Sequence, residues 1–153
     1  MTPGAPPAAT LDHLVVAATT LADGIEYIAE ITGVTPQPGG KHGAMGTHNA
    51  LVRLSERTYL EIIAIDPAGA RPSRPRWFGL DDIALQAELI ERPRLIHWVA
   101  RATDIARRAA ACPIALGPVH VMARGDYRWR ITIPDDGTLP GRSGGTFPKR
   151  FSG

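Results

Sequence analysis

An internal repeat constrains the fold of this chain more than any other feature of its sequence. The segment LDHLVVAATTLA, which begins at Leu11, aligns with LIHWVARATDIA, which begins at Leu95, and six of the twelve pairs are identical. The offset of 84 residues is too long for one unit of a solenoid and suits two copies of a small module. Each copy is an apolar run typical of a buried strand, followed by the start of a helical pattern.

Periodicity and turn residues predict a similar series of elements after each copy. Strands are expected over 11–18, 48–55, 58–65, 94–102, 119–124 and 127–134. Helices are expected to begin after the N-cap residues Thr20, Asp82 and Thr103, and the Gly-rich stretch 36–46 is expected to be a loop. The predicted fold class is therefore α+β, with two βαβββ modules in one domain.

The predicted domain runs from 11 to 141, which suits a chain of 153 residues. Its parts are a first module at 11–66, a linker at 67–93 and a second module at 94–141. Residues 1–10 are Pro- and Ala-rich and are expected to form a disordered arm, and 142–153 a flexible basic tail.

Composition and charge exclude several classes of function. Residues 1–141 hold 14 basic and 15 acidic side chains, so the net charge of +2 comes from the tail, and a nucleic-acid partner is not expected. A single cysteine, Cys112, excludes a disulfide framework and a Cys-rich zinc site. No apolar run approaches the ~20 residues that span a bilayer, and the first ten residues lack the pattern of a secretory signal. A cytoplasmic location and no membrane partner are expected.

The repeat places His13 and His97 at equivalent positions of two equivalent strands. If the modules pair edge to edge, both imidazoles can point to one surface. Glu61 lies in another apolar strand, where a carboxylate without a partner is costly. Two histidines and a carboxylate on strands suit a divalent metal with open coordination positions.

Each of these residues also has a simpler interpretation. A lone strand histidine is more often hydrogen-bonded in the core than bound to a metal, and a lone Glu more often lies on the polar face of its strand. The two histidines in register across the repeat favour the metal site. Arg101, on the strand face of His97, could orient an anionic substrate or form a salt bridge.

The sequence resembles the vicinal oxygen chelate superfamily, and within it the glyoxalase-like domain proteins. The resemblance spans 11 to about 140 and is carried by LDHLVVA, HGAMGTHNALVRL, TYLEIIAID, RWFGLDD, LIHWVAR and YRWRITIPDDG. It implies that the paired modules form a curved mixed sheet around a central cleft that holds a divalent metal. It also implies His13, Glu61 and His97 as metal ligands, with Thr47, Asn49 and His42 lining the cleft.

The sequence departs from this family pattern at its end. The resemblance implies a fourth ligand, Glu or Gln, in the last strand of the second module, and the repeat offset places it near Gly145. The tail GRSGGTFPKRFSG contains no such residue and no apolar alternation. The last strand is therefore predicted to be missing, through truncation or a frameshift near Gly141. A missing strand exposes a sheet edge, which favours pairing into a homodimer.

The expected function is that of a metal-dependent enzyme acting on a small, oxygen-rich substrate. The metal would act as a Lewis acid that holds two neighbouring oxygens and stabilises an enolate or a similar oxyanion. The reaction, whether of lyase, isomerase or dioxygenase type, and the base stay open. The metal also stays open among Zn, Ni, Co, Fe, Mn and Mg. The alternatives are a small-molecule-binding module without catalysis, as in resistance-type members, and an inactive truncated copy.

Overall fold

The computed structural model describes residues 9–140. The strands in this part of the chain are β1 Thr10–Ala17, β2 Gln37–His42, β3 Thr47–Arg53, β4 Tyr59–Ile65, β5 Arg94–Arg101, β6 Val119–Arg124 and β7 Tyr127–Thr132. The helices are α1 Leu21–Thr32, α2 Ile83–Glu91 and α3 Ile105–Ala111. Residues 1–8 of the predicted arm and the whole predicted tail lie outside the described residues.

The two copies of the repeat are neighbours in the sheet. Five strands form a mixed sheet in the order β2-β3-β4-β1-β5, in which β1 pairs parallel with β4 and antiparallel with β5. Strands β6 and β7 form a separate antiparallel hairpin. The α+β class and the edge-to-edge meeting of the two modules are confirmed.

Helix α1 covers the outer face of the five-stranded sheet. It begins where the sequence indicates, because the Thr20 hydroxyl accepts the Asp23 N–H at 3.1 Å. It ends at Gly33, whose φ of 72° is the left-handed conformation that glycine adopts most easily. Its buried Ile28 packs with Val16 and Ile62 into one of two apolar clusters.

The inner face of the sheet, which carries Val15 and Ile63, is covered by the second half of the chain. Its core includes Trp77 and Leu85 from the predicted linker and Met122 from the β6–β7 hairpin. The linker thus contributes a buried 3-10 turn and α2 to the core. Among residues 9–140, no helix has the length and apolar character that crossing a membrane requires.

Two local predictions are wrong. The Gly-rich stretch 36–46 was expected to be a loop, but 37–42 forms β2, which pairs antiparallel with β3 and has an irregular register between Pro38 and Lys41. Helix α3 is capped by Asp104, which accepts the Arg107 N–H at 3.1 Å, and not by Thr103. Aspartate is at least as good a cap as threonine, and here it lies one residue closer to the helix.

Candidate active site

The strand register brings the three predicted metal ligands to the inner face. Val15 lies opposite Glu61 in β4 and opposite His97 in β5, and His13 is two residues before Val15. Residues that are opposite each other, or two apart on one strand, share a face. The register therefore places His13, Glu61 and His97 on one face of the sheet, and their role as metal ligands stays a prediction.

Glu61 is the buried centre of a short chain of polar contacts. Its side chain is 6% exposed, and its Oε2 lies 3.4 Å from Nε2 of His13. Its other oxygen, Oε1, accepts a hydrogen bond from Nδ2 of Asn49 at 2.6 Å. The Asn49 amide oxygen in turn accepts the Gly40 N–H at 2.8 Å. Asn49, which the resemblance placed at the cleft, thus holds the carboxylate in position.

Asp12 orients the His13 ring from its other side. The Nδ1 of His13 lies 2.7 Å from Oδ1 of Asp12, and a carboxylate accepts hydrogen bonds, so Nδ1 carries the proton and donates it. Nε2 is thereby directed to Glu61. Arg101 donates to the same carboxylate at 2.7 Å and to the Arg57 carbonyl at 3.0 Å. The salt bridge considered for Arg101 is thus present, and a role in substrate binding stays a prediction.

His97 shares the inner face but belongs to an aromatic environment. Its ring centroid lies 5.8 Å from that of Phe78 and 6.3 Å from that of Trp98. Phe78 and Trp77 are buried in the inner core. Phe78 has a φ of 58°, an uncommon conformation for a residue with a side chain.

His42 and Thr47 lie at the far side of the sheet, on the same face. They are opposite each other in β2 and β3, and Nδ1 of His42 lies 3.1 Å from the Thr47 hydroxyl. Both are buried, and the Trp77 ring meets the His42 ring edge-on at 5.0 Å. The three residues assigned to the cleft by resemblance, His42, Thr47 and Asn49, therefore do lie on the inner face.

Burial and charge affect the two repeat-related histidines in opposite ways. Burial opposes the charged form of His13, but its hydrogen bonds to Asp12 and Glu61 outweigh that and raise its pKa to about 9. Burial, with the charge of His13, lowers the pKa of His97 to about 4. Burial favours the neutral form of Glu61, yet the hydrogen bond and charge of His13 bring the pKa of that carboxyl below its usual range. At neutral pH the site thus holds an imidazolium–carboxylate pair beside a neutral imidazole.

The donor types fit a divalent ion, and so does one spacing. Two donors of one tetrahedral ion, each about 2.1 Å from it, are about 3.4 Å apart, and Nε2 of His13 lies 3.4 Å from Oε2 of Glu61. Within residues 9–140, however, no three His, Cys, Asp or Glu side chains come together as a group that could hold an ion. The position predicted for a fourth ligand, near Gly145, is outside the described residues.

Three site residues were missed by the sequence analysis. Asp12 is skipped in the register between β1 and β5, so strand alternation does not indicate that it meets His13. Tyr59 stacks on His13 with ring centroids 4.6 Å apart, which its register position opposite His13 could have indicated. Arg124 reaches the site from the β6–β7 hairpin, and no local pattern shows which strand a hairpin will cover.

An open groove lies next to this cluster on the surface. It has a volume of about 460 Å³ and is lined by Arg53, Ser55, Glu56, Arg57, Thr58, Tyr59 and Arg101. Tyr59 connects it to the buried pair, because its ring stacks on His13.

Comparisons with known proteins agree with this architecture. The chain matches the family model described as glyoxalase-like domain over residues 11–151. A crystal structure of methylmalonyl-CoA epimerase from Mycobacterium tuberculosis is similar in fold, with a TM-score of 0.52 and 19% identity, over 90% of this chain and 88% of that chain. None of the curated proteins searched matches the sequence. The family resemblance seen in the sequence is confirmed, and the chain belongs to the glyoxalase-like domain family.

Proposed function

We propose that this protein is a glyoxalase-like enzyme that acts on a small, oxygen-rich molecule bound against the inner face of its sheet. The observation that carries the proposal is the buried Glu61 carboxylate facing Nε2 of His13 at 3.4 Å. Buried carboxylate–imidazole pairs are uncommon outside functional sites, because removing both groups from water is costly. Family membership supports the same conclusion.

We propose His13, Glu61 and His97 as ligands of a divalent ion. Such an ion would supply Lewis acidity at the inner face. The protein's own residues prepare the donors. Asp12 fixes the ring of His13 with Nε2 inward, Asn49 fixes the carboxylate, and burial keeps His97 unprotonated at neutral pH. His13 must release a proton before Nε2 can donate electrons to a metal.

The neighbouring residues determine what can reach the pair. Trp77 and Phe78 close the inner face on one side and exclude water from it. Exclusion of water strengthens the electrostatic effect of each charged group on a bound substrate. Among residues 9–140, Glu61 is the one buried carboxylate on this face with an oxygen directed at His13, so it is our candidate for holding or moving a proton when no ion occupies it.

Metal binding by single variants tests the proposal. The protein and the variants His13→Ala, Glu61→Ala and His97→Ala are incubated in turn with Zn²⁺, Ni²⁺, Co²⁺ and Mn²⁺, desalted and analysed by elemental mass spectrometry. We expect about one ion per chain in the parent and a loss in all three variants. His48→Ala is the matched control, because His48 adjoins Asn49 on β3 and therefore points to the other face.

Two outcomes would contradict parts of the proposal. Metal retained by His97→Ala but lost from the other two variants would remove His97 from the ligand set. A well-folded parent that retains no metal would favour the second candidate, a small-molecule-binding module without catalysis. The specific observation behind that candidate is that His13 and Glu61 already neutralise each other, with no third donor in their group among residues 9–140.

A further inference from the structure

One arginine reaches the inner face from the hairpin. Arg124 ends β6, and its side chain crosses to β2, where it lies against the backbone of Gly40. A Cβ placed on Gly40 would be 2.9 Å from Cδ of Arg124 and 3.0 Å from its Nη1. Cβ atoms in proteins essentially never lie less than 3.0 Å from such an atom. The missing side chain at position 40 is therefore what makes room for this guanidinium.

Within the described part of the chain, the Arg124 side chain has no carboxylate partner and no hydrogen bond. Other arginines near the cleft are engaged. Arg74 contacts His120 at 2.9 Å and donates to the Pro134 carbonyl at 2.8 Å. Arg101 donates to Asp12. Arg124 is only partly exposed, so its charge is not fully solvated. An arginine in this state is suited to bind an anion.

The surroundings of Arg124 favour an anionic ligand. Burial lowers the pKa of the His42 ring, the Glu61 carboxylate acts to raise it, and the Arg124 guanidinium is close enough to the same ring to lower it. His42 is flanked by the rings of Trp77 and Trp129, with centroids 5.0 and 6.4 Å away. A positive charge beside a neutral imidazole and aromatic rings attracts an anion more strongly than the same charge in open water.

We propose that Arg124 is the binding site for a carboxylate of the substrate, and that Gly40 exists as glycine to leave space for it. The proposal rests on the proposed function, because it places the subsite in the same cleft. Arg124 lies against Gly40, and two hydrogen bonds lead from Gly40 to the His13–Glu61 pair. Gly40 donates to Asn49 at 2.8 Å, and Asn49 donates to Glu61 at 2.6 Å. The substrate class is thus a small carboxylic acid whose reacting carbon lies toward Glu61 while its carboxylate lies on Arg124.

This assignment also explains the Gly39-Gly40-Lys41 motif, which resembles a phosphate cradle only superficially. A Cβ on Gly39 would be 2.1 Å from Oδ1 of Asn49. Gly39 thus leaves room for the amide that holds Glu61, and Gly40 leaves room for the arginine. The two glycines serve two neighbouring side chains of one site, and neither provides backbone donors for a phosphate.

The test is a titration of the ¹⁵N-labelled, metal-free protein with malonate, followed through the Arg124 Nε–H signal. Malonamide, which has the same shape without charge, is the comparison ligand. We expect saturable binding of malonate at millimolar concentration and none of malonamide. Arg124→Gln should weaken malonate binding at least tenfold, and Arg124→Lys should weaken it less, because lysine keeps the charge without the bidentate fork.

Gly40→Ala tests the geometric part separately. The atoms it would meet are at the flexible end of the Arg124 side chain, so the alanine should displace the guanidinium without unfolding the strand, and malonate affinity should fall as in Arg124→Gln. Gly43→Ala is the control for the added methyl group, because nothing lies within 4 Å of a Cβ there. Arg128→Gln, on the exposed part of the same hairpin, is the control for lost charge; both controls should bind like the parent.

The proposal is wrong if the parent does not bind malonate, if malonamide binds as tightly, or if Arg124→Gln or Gly40→Ala keeps the parental affinity. Because the titration is made without metal, its failure is distinct from failure of the metal site. Malonate binding by a protein that retains no ion would leave the carboxylate subsite standing. Metal binding without malonate binding would overturn only the subsite.

Discussion

His13 and His97 occupy equivalent positions in the repeat, yet the fold gives them opposite acid–base behaviour. Carboxylates flank His13 on both sides, whereas His97 has aromatic neighbours and, among residues 9–140, no carboxylate within hydrogen-bond reach. Part of this difference lies within the repeat, where Asp12 corresponds to Ile96, and part lies outside it, because Glu61 belongs to β4 and Phe78 to the linker. A repeat in sequence thus predicts shared position but not shared chemistry.

The pH dependence of stability follows from the raised pKa of His13. An unfolded histidine titrates near 6.5, and His13 titrates at about 9 in the folded protein. Its contribution is therefore complete below pH 6.5 and is lost as pH rises through 9. In metal-free protein, we expect the destabilisation caused by His13→Asn to shrink by about 2–3 kcal/mol between pH 6 and pH 10, measured by urea unfolding.

His97 gives the opposite sign and serves as the comparison. Its folded pKa of about 4 lies below the unfolded value, so the folded state loses stability as pH falls from 6.5 toward 4. His97→Asn should therefore remove part of the loss of stability below pH 6.5 and leave the loss of stability at alkaline pH unchanged. If His13→Asn loses as much stability as the parent when pH rises through 9, the Asp12–His13–Glu61 contacts do not hold the proton.

At the scale of elements, the contact between α1 and β4 depends on one glycine. Gly24 is the fourth residue of α1 and is buried, and a Cβ there would be 2.5 Å from Cγ2 of Ile62 and 2.9 Å from Cβ of Ala18. Glycine costs a helix about 1 kcal/mol relative to alanine. Overpacking a tight contact costs about 1–3 kcal/mol, so the cost of the clash should exceed the gain in helix propensity.

Gly24→Ala should therefore lower the free energy of unfolding by about 1 kcal/mol or more, although alanine is the better helix former. The measurement is urea unfolding, with Ile62→Leu as the partner variant because leucine lacks the methyl group on Cβ. In a double-mutant cycle, Ile62→Leu should relieve part of the cost of Gly24→Ala. A stabilised Gly24→Ala protein would mean that helix and sheet are farther apart than described.

Most elements could be predicted from local signals, and the failures have local causes. The N-caps Thr20 and Asp82 were both predicted, because caps depend on a few adjacent residues. Strand β2 was not, since two glycines and a proline argue against a strand in isolation. Glycine fits these positions of β2 because Asn49 and Arg124 occupy the space that a side chain would fill. Both of these residues belong to other strands. The site residues on β1, β4 and β5 were predictable for the opposite reason, that alternation is a property of each strand alone.

At the scale of the whole molecule, the two modules are unequal in the described residues. In the first module β1 pairs with β4, and β3 and β2 follow in order, whereas β5 pairs only with β1 and the β6–β7 hairpin is separate. By the repeat, the strand equivalent to β4 would lie beside β5 and connect the two sheets. Its position, near Gly145, is outside the described residues, so the prediction that this strand is missing is untested.

The predicted homodimer depends on the free edge of β5. Within residues 9–140 that edge has no strand partner, and Leu95 and Trp98 on β5 are 59% and 60% exposed. An open edge with exposed apolar side chains favours pairing with a second copy, and a lysine placed there opposes it. We expect a monomer–dimer equilibrium in sedimentation experiments, and a shift of that equilibrium to monomer in Leu95→Lys and Trp98→Lys.

A matched lysine on another surface separates edge pairing from a general effect of charge. Ile31 on α1 is also 59% exposed, but α1 packs against β3 and β4 and lies away from the β5 edge. Ile31→Lys should leave the dimer unchanged. If it dissociates the dimer as strongly as Leu95→Lys, the interface is elsewhere, and a parent that is monomeric at all concentrations would contradict the predicted homodimer.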